Sequence, residues 1–209
     1  TKRSQKVTLN EGDTIADACI LSKDDDLLLI DSTGKSLRIS RDKLIPRKSI
    51  NVMGIDGLIC AEQEEAVQCM PYCDELIGVS RQGKVFRAKI DLTKHGRGCL
   101  GRQMFLIESD DALVKTFPVS DDKGLLAISE AARVICVGEQ EIASRAGRTK
   151  GQILIKGKRQ IVDAAIVPLK DISQDGQESP IIAYLIYYFY YFAFLIYVYL
   201  NYLIMNQIF

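Results

Sequence analysis

Two basic stretches punctuated by glycine are the parts of this 209-residue chain best suited to act on a partner. One is His95-Gly96-Arg97-Gly98-Cys99-Leu100-Gly101-Arg102; the other is Arg145-Ala146-Gly147-Arg148-Thr149-Lys150-Gly151. Glycine lets backbone N–H groups come close to an anion, and Arg or Lys supplies the charge. Gly96, Gly98, Gly101, Gly147 and Gly151, with Arg97, Arg102, Arg145, Arg148 and Lys150, therefore read as phosphate-binding loops. One such stretch alone reads as well as a solvated loop. Gly98 and Gly147, however, stand 49 residues apart (147 − 98), and that spacing recurs through the chain.

Further cations surround these stretches. Arg41, Lys43, Arg47 and Lys48 face a single acid, Asp42; Lys84, Arg87 and Lys94 lead into the first glycine stretch; Lys156 and Lys158 follow the second. The acids gather elsewhere, at residues 24–26, at Glu62, Glu64 and Glu65, and at residues 110–111 and 121–122. The chain is formally neutral, with 27 cations and 27 acids, but its charge is sorted along the sequence. In a stacked array this sorting predicts a basic stripe, with acidic turns away from it. Such a surface meets phosphates, not base edges; it binds without sequence preference, weakens steeply with salt and favours DNA that bends. Before residue 181 the aromatic residues are only Tyr72, Phe86, Phe105 and Phe117, too few to stack single-stranded bases, so duplex is the expected partner.

The elements that must position these loops come from a repeat. Residues 27–38, 76–87 and 125–136 match without gaps at offsets of 49 (76 − 27 and 125 − 76). Apolar runs flank polar turns containing Gly34 and Gly83, which is the pattern of β-hairpins. The third copy has Ala132 in place of glycine, which predicts a turn of another type. Counterparts near residues 7–21, 58–70, 104–119 and 152–168 fill each period to about four strands, as in a propeller blade. The second and third periods, which hold the glycine stretches, are expected to carry most contacts. Residues 139–146 would allow a short helical turn. A bland reading, a propeller-like protein-interaction scaffold whose charges serve solubility, explains the aliphatic pattern equally well.

Other chemistry finds little support. The single histidine, His95, sits in a glycine-rich loop. The six cysteines read as reduced thiols, and Cys69-x-x-x-Cys73 lacks the second ligand pair of a zinc site. No Ser-His-Asp set or phosphate-binding P-loop is visible. The chain begins at Thr1 without a signal-peptide pattern, which reads as a piece of a longer protein. Residues 181–209 contain no charge and eight of the nine tyrosines. That length could cross a bilayer, yet tyrosines belong at its interfaces. A non-native tail translated from AT-rich DNA is the first reading and a membrane anchor the second.

The order and spacing of these features resemble the C-terminal domain of type IIA DNA topoisomerase A subunits, the family formed by the A subunits of DNA gyrase and topoisomerase IV. The resemblance is carried by residues 7–15, 27–38 and 76–87, by Gly147 to Ile155, and by Val167-Pro168. It implies an all-β, propeller-like β-pinwheel of four-stranded blades over residues 1–171, of which the repeat gives about three and a half; residues 172–180 read as a linker before the hydrophobic tail over 181–209. It also implies a non-catalytic module that bends duplex DNA for a larger enzyme, in a heterotetramer with an ATPase B subunit. ATP and Mg2+ would belong to that holoenzyme and no cofactor to this piece. A cytoplasmic, nucleoid-associated protein is implied, or an organellar one; a membrane becomes a partner only if the tail is genuine. The family's nucleophile is a tyrosine following an arginine, whereas Tyr72 follows Pro71. The gyrase basic-glycine box has only a degenerate match at residues 95–101, which leaves the choice within the family open.

Overall fold

The computed structural model describes residues 12–44, 56–120, 122–146, 148–155 and 160–169. The linker over 172–180 and the tail over 181–209 lie outside the described residues. So do Arg47, Lys48, Gly147, Lys156 and Lys158. Among the described residues, no helix is long and apolar enough to cross a membrane.

The described residues form strands Leu27–Asp31 (β1), Lys35–Ile39 (β2), Ala66–Pro71 (β3), Glu75–Ser80 (β4), Lys84–Lys89 (β5), Arg102–Gln103 (β6), Leu113–Pro118 (β7), Lys123–Ser129 (β8), Val134–Gly138 (β9), Arg145–Ala146 (β10), Gln152–Ile153 (β11) and Ile161–Pro168 (β12). Two 3-10 turns, Arg41–Lys43 and Glu139–Glu141, are the helical content among them. The second falls where the sequence allows a helical turn. All strands, except the last residue of β12, lie in one compact unit that ends at Val167.

The 49-residue repeat holds to the residue in the hairpins. Leu27 opposes Ile39, Leu76 opposes Ala88, and Leu125 opposes Val137. Each first strand ends on a buried polar residue, Asp31, Ser80 or Ser129, again 49 apart (80 − 31 and 129 − 80). Its side-chain oxygen accepts the backbone N–H four residues on, from Lys35 (2.9 Å), Lys84 (3.2 Å) or Arg133 (3.2 Å). That bond closes the turn locally. Gly34 and Gly83 both sit at φ +82°. The third turn is the same turn, contrary to the expectation of another type. Ala132 takes φ +54° and donates its N–H to Ser129 O at 2.8 Å, as Gly34 does to Asp31 O and Gly83 to Ser80 O. The turn bond and the β8–β9 ladder hold the alanine in the left-handed region, at a cost of about 1–2 kcal/mol.

The first two hairpins are the centres of their sheets and the third lies at one side of its sheet among the described residues; the other strands of each come from later in the chain. The orders are β3-β1-β2-β6, then β10-β5-β4-β7 with β11 also on β5, then β12-β8-β9. The sheets therefore have four, five and three strands among the described residues. The first two sheets thus draw strands from their own period and from the next, where the sequence pattern places about four strands in each period. β6 crosses back over the second hairpin to reach β2, pairing Arg102 with Ser36, and β11 likewise pairs Gln152 with Val85. Backbone bonds join neighbouring sheets at matching points: Leu113 N–H to Ser32 O at 2.8 Å and Ile161 N–H to Arg81 O at 2.7 Å.

The middle sheet is buried on both faces. Along β4, Leu76 packs with Leu28, Ile30, Phe86 and Phe105 toward the first sheet. Its neighbours Ile77 and Val79 pack with Val85, Leu125 and Ala127 toward the third. Strand side chains alternate faces, so a strand between two layers reads as a continuous apolar run. Phe86 and Phe105, both fully buried, meet with ring centroids 5.3 Å apart.

Candidate nucleic-acid interface

The two basic loops are the outer edges of the first two sheets. His95 bridges in parallel to Ile39, and Arg102–Gln103 continues antiparallel on β2. In the next sheet Arg145–Ala146 runs parallel to β5, and Gln152–Ile153 returns antiparallel on it. The loops thus belong to the first and second sheets, not the second and third as chain order suggests. Their partners across the repeat are 50 residues apart (145 − 95 and 152 − 102), one more than the hairpins. Gly101 therefore matches Gly151, and Gly98 matches Arg148; the 49-residue spacing of Gly98 and Gly147 falls one residue short of the loop frame.

This frame gives Gly101 and Gly151 a packing task beside the expected phosphate cradle. A Cβ on Gly151 would stand 2.7 Å from Phe86 Cε1, and one on Gly101 would stand 2.8 Å from Leu58 Cδ1. Both let the loop pass tightly over its own sheet. Gly98 donates its N–H to Gly57 O at 2.7 Å, and Gly151 donates to Thr149 Oγ1 at 3.3 Å. Gly96 stands in open space, where an added Cβ would meet no heavy atom within 4 Å.

Charge presentation differs between the loops. In the second, Thr149 is buried and its backbone N–H and C=O bond Met104 and Leu106. Arg148 and Lys150, on either side of it, are exposed, as is Arg145. Residues two apart in extended chain point the same way, so Arg148 and Lys150 offer adjacent charges on one face. Among the described residues, no ion pair or hydrogen bond engages the side chains of these three. In the first loop Arg97 is likewise exposed and unengaged among the described residues. Lys94, however, lies 3.1 Å from Asp26 Oδ2, and Arg102 donates to Asp91 O at 3.1 Å.

Several other cations proposed from the sequence are paired with groups of the chain itself. Arg87 donates to both carboxylate oxygens of Glu75 (3.0 and 3.2 Å) and to Glu139 O (2.7 Å), and is largely covered. Lys84 pairs with Glu108 at 2.5 Å. Arg41 donates to Leu44 O at 3.1 Å, and Lys43 lies 3.5 Å from Asp42. Acids and bases are thus interleaved, not separated into a stripe and distant turns. The place of Arg41 and Lys43 in the first period is taken in the third by Glu139 and Glu141 (2 × 49 residues on).

Residues that the sequence did not single out hold the loops in place. Asp26 is buried, and it receives Arg38 (2.7 Å), Lys94 and the Arg41 N–H (3.1 Å). Arg38 also lies 3.6 Å from the centroid of the Tyr72 ring and donates to Leu92 O at 3.3 Å. Burial pushes the Asp26 carboxyl up, but the hydrogen bonds from the Arg41 N–H, Arg38 and Lys94 outweigh it and hold the group below the usual range. Glu75 is the counterpart of Asp26, as Arg87 is of Arg38, both 49 residues on (75 − 26 and 87 − 38). Hydrogen bonds from Arg87 hold the Glu75 carboxyl below its usual range, and Ser144 also bonds it. The signal was present: an acid lies twelve residues before an arginine in both periods (38 − 26 and 87 − 75). Arg87 opposes Ile77, which puts its side chain diagonally beside Glu75 on one face of the sheet.

The aromatic residues offer no stacking platform among the described residues. Phe86 and Phe105 are buried, the Tyr72 ring is covered by Arg38, and Lys115 lies 6.0 Å from the Phe117 centroid. The Tyr72 hydroxyl donates to Ile90 O at 3.0 Å. All six cysteines are free thiols. Burial pushes Cys73 up to about 11, and burial together with the neighbouring Cys19 pushes Cys69 up to about 12, so both are held protonated. His95, in the first loop, is exposed, with Nε2 2.9 Å from Thr93 Oγ1.

No family model matches the chain. It is 28% identical over 191 residues to the DNA gyrase A subunit of Mycolicibacterium smegmatis, covering 83% of this chain and 22% of that protein. It is 23% identical over 189 residues to the DNA gyrase A subunit of Chlamydia pneumoniae, covering 87% and 22%. The chain spans about a fifth of the length of these curated relatives. Among solved structures, it is similar to the C-terminal domain of DNA topoisomerase IV, with a TM-score of 0.69 and 14% identity over 78% of this chain and 53% of that one. The E. coli ParC C-terminal domain gives a TM-score of 0.61 and 16% identity, over 78% and 70%. The fold is the β-pinwheel of these domains, and the resemblance carried by the sequence motifs agrees with both comparisons.

Proposed function

We propose that this chain is the DNA-binding C-terminal module of a type IIA topoisomerase A subunit, and that it holds duplex DNA by its phosphates along the outer edges of the first two sheets. The observation that carries this reading is the second loop, where Arg145, Arg148 and Lys150 are exposed and unengaged beside a buried Thr149. Arg97 extends the same kind of edge on the first sheet. Contacts of this type carry no base information, so the module binds many sequences and favours duplexes that bend toward both edges. In this reading cleavage and resealing belong to the rest of the parent enzyme. ATP and Mg2+ belong to the holoenzyme with its B subunit, which works on the nucleoid in the cytoplasm.

The test is a titration of the full chain with mixed-sequence duplex over a range of salt. The expected result is binding that weakens steadily with salt, with a log–log slope of about −0.9 per phosphate contacted. Competition by an unrelated duplex should be equal. Binding insensitive to salt, or none, overturns the reading and leaves the protein-interaction scaffold.

A further inference from the structure

We propose that the acid of each hairpin clamp is a positioning residue for the basic loop on that sheet's edge, with Glu75 setting Arg145 through Ser144 and Asp26 setting the first loop through Lys94. The inference rests on the DNA-binding reading for its functional readout only. Its structural basis is a threefold match between two sheets. Asp26 corresponds to Glu75, and Arg38 to Arg87, at the hairpin spacing of 49; Lys94 corresponds to Ser144 at the loop spacing of 50 (144 − 94). In both sheets one carboxylate oxygen of the acid accepts from the arginine of the partner strand and from the residue that opens the loop, Asp26 Oδ2 from Arg38 and Lys94 and Glu75 Oε1 from Arg87 and Ser144.

The side-chain lengths compensate. Asp26 is short and meets a long lysine, whereas Glu75 is longer by one methylene and meets a short serine. Two unlike pairs thus span the same place, which marks the contact itself as the requirement rather than either residue type. The bond is well placed to order the loop. Ser144 precedes Arg145, whose backbone pairs with Ala88, and the other end of the loop is held where Gly151 passes Phe86. Between these anchors lie Arg145, Arg148 and Lys150. The arginine of each clamp also reaches backbone beyond its own sheet, Arg38 to Leu92 O and Arg87 to Glu139 O, so the loop is referenced to its neighbour as well. The third sheet lacks the device: the corresponding residues are Gly124 and Cys136, which cannot form the pair.

An ordered loop binds phosphates without first being immobilised, and the clamp supplies that order in advance. The test uses the full chain with Ser144→Ala, Ser144→Lys, Glu75→Asp and the double variant Glu75→Asp/Ser144→Lys, read by duplex titration at one salt concentration and by hydrogen exchange of the amides of residues 145–151. Ser144 is exposed, and its removal alters neither net charge nor the Glu75–Arg87 pair. S144A is expected to speed exchange in the loop and to weaken duplex binding about threefold, the cost of ordering one more side chain on binding. E75D shortens the reach and should do the same. In E75D/S144K, which rebuilds the first sheet's pair in the second, loop exchange should return to the wild-type rate, and the double substitution should bind better than the sum of the single effects predicts. Unchanged exchange in S144A and E75D, or strictly additive behaviour of the double variant, overturns the clamp. A wild-type chain that fails to bind duplex overturns the DNA reading instead, and loop exchange then still decides the clamp.

Discussion

The two basic loops share a frame and differ in what they display. Both enter in parallel to the second strand of a hairpin, pass a tight glycine (Gly101 or Gly151) and leave antiparallel to the same strand. Yet where the second loop shows Arg148 and Lys150, the first has Gly98 and Leu100, the latter 73% exposed. The first loop's Lys94 is bound to Asp26 and its Arg102 to a backbone carbonyl. The frame is thus built by groups facing inward and the charge by groups facing outward, and the two vary independently. A basic residue in the right stretch of chain is therefore not yet a residue available to a phosphate. An exposed charge whose partner is only water costs little to redirect, whereas Arg87 would have to leave two bonds to Glu75 and one to Glu139.

That contrast can be broken at four points. The largest effect is expected on the frame. Gly151→Ala places a methyl against Phe86 and a side chain at φ +73°, so chemical denaturation should show a loss of about 2–4 kcal/mol. Gly96→Ala, in open space, should stay within about 0.5 kcal/mol, and equal losses at both sites would contradict the packing role. Next comes charge. Reversal of both Arg148 and Lys150 to Glu should weaken duplex binding about tenfold to thirtyfold at low salt and flatten its salt dependence. Reversal of Lys84, already paired with Glu108, should cost much less by the same titration. A smaller effect concerns the hairpins that carry the loops: Ala132→Gly should raise stability by about 1 kcal/mol by relieving the left-handed alanine, measured as a shift in denaturation midpoint. The smallest is a transplant. Leu100→Lys gives the first loop the residue the second has at that place, and should tighten duplex binding about threefold with a salt slope steeper by about one contact. An unchanged affinity there would show that the first edge lies off the DNA path.

Much of the fold was legible because a hairpin is a local structure. Its register, its turn and its alternation involve residues at most twelve apart, and these recur every 49 residues with Asp31, Ser80 and Ser129 closing each turn. The turn at Ala132 departs from expectation for a physical reason: propensity expresses the alanine's own preference, while the turn hydrogen bond and the strand ladder on both sides impose φ +54°. The candidate site was legible only in outline. The glycine stretches stand out in the sequence, but it could not show that Gly101 and Gly151 pack inward, because that depends on Leu58 and Phe86, 43 and 65 residues earlier (101 − 58 and 151 − 86). Nor could charge sorting reveal that Asp26 holds Lys94 across 68 residues (94 − 26).

Turn chemistry and the two-residue alternation of strands are local, so the hairpins, their period and the apolar faces that stack them follow from the order of residues alone. That order also places cations in two particular stretches. Long-range packing sets which sheet each stretch edges, the loop spacing of 50 where the hairpin spacing is 49, and which of the described cations stay unengaged. The reason is that edge pairing two residues long leaves no periodic trace in a sequence. The fate of a charged group is likewise set by what long-range packing brings within about 4 Å of it, not by its neighbours in the chain.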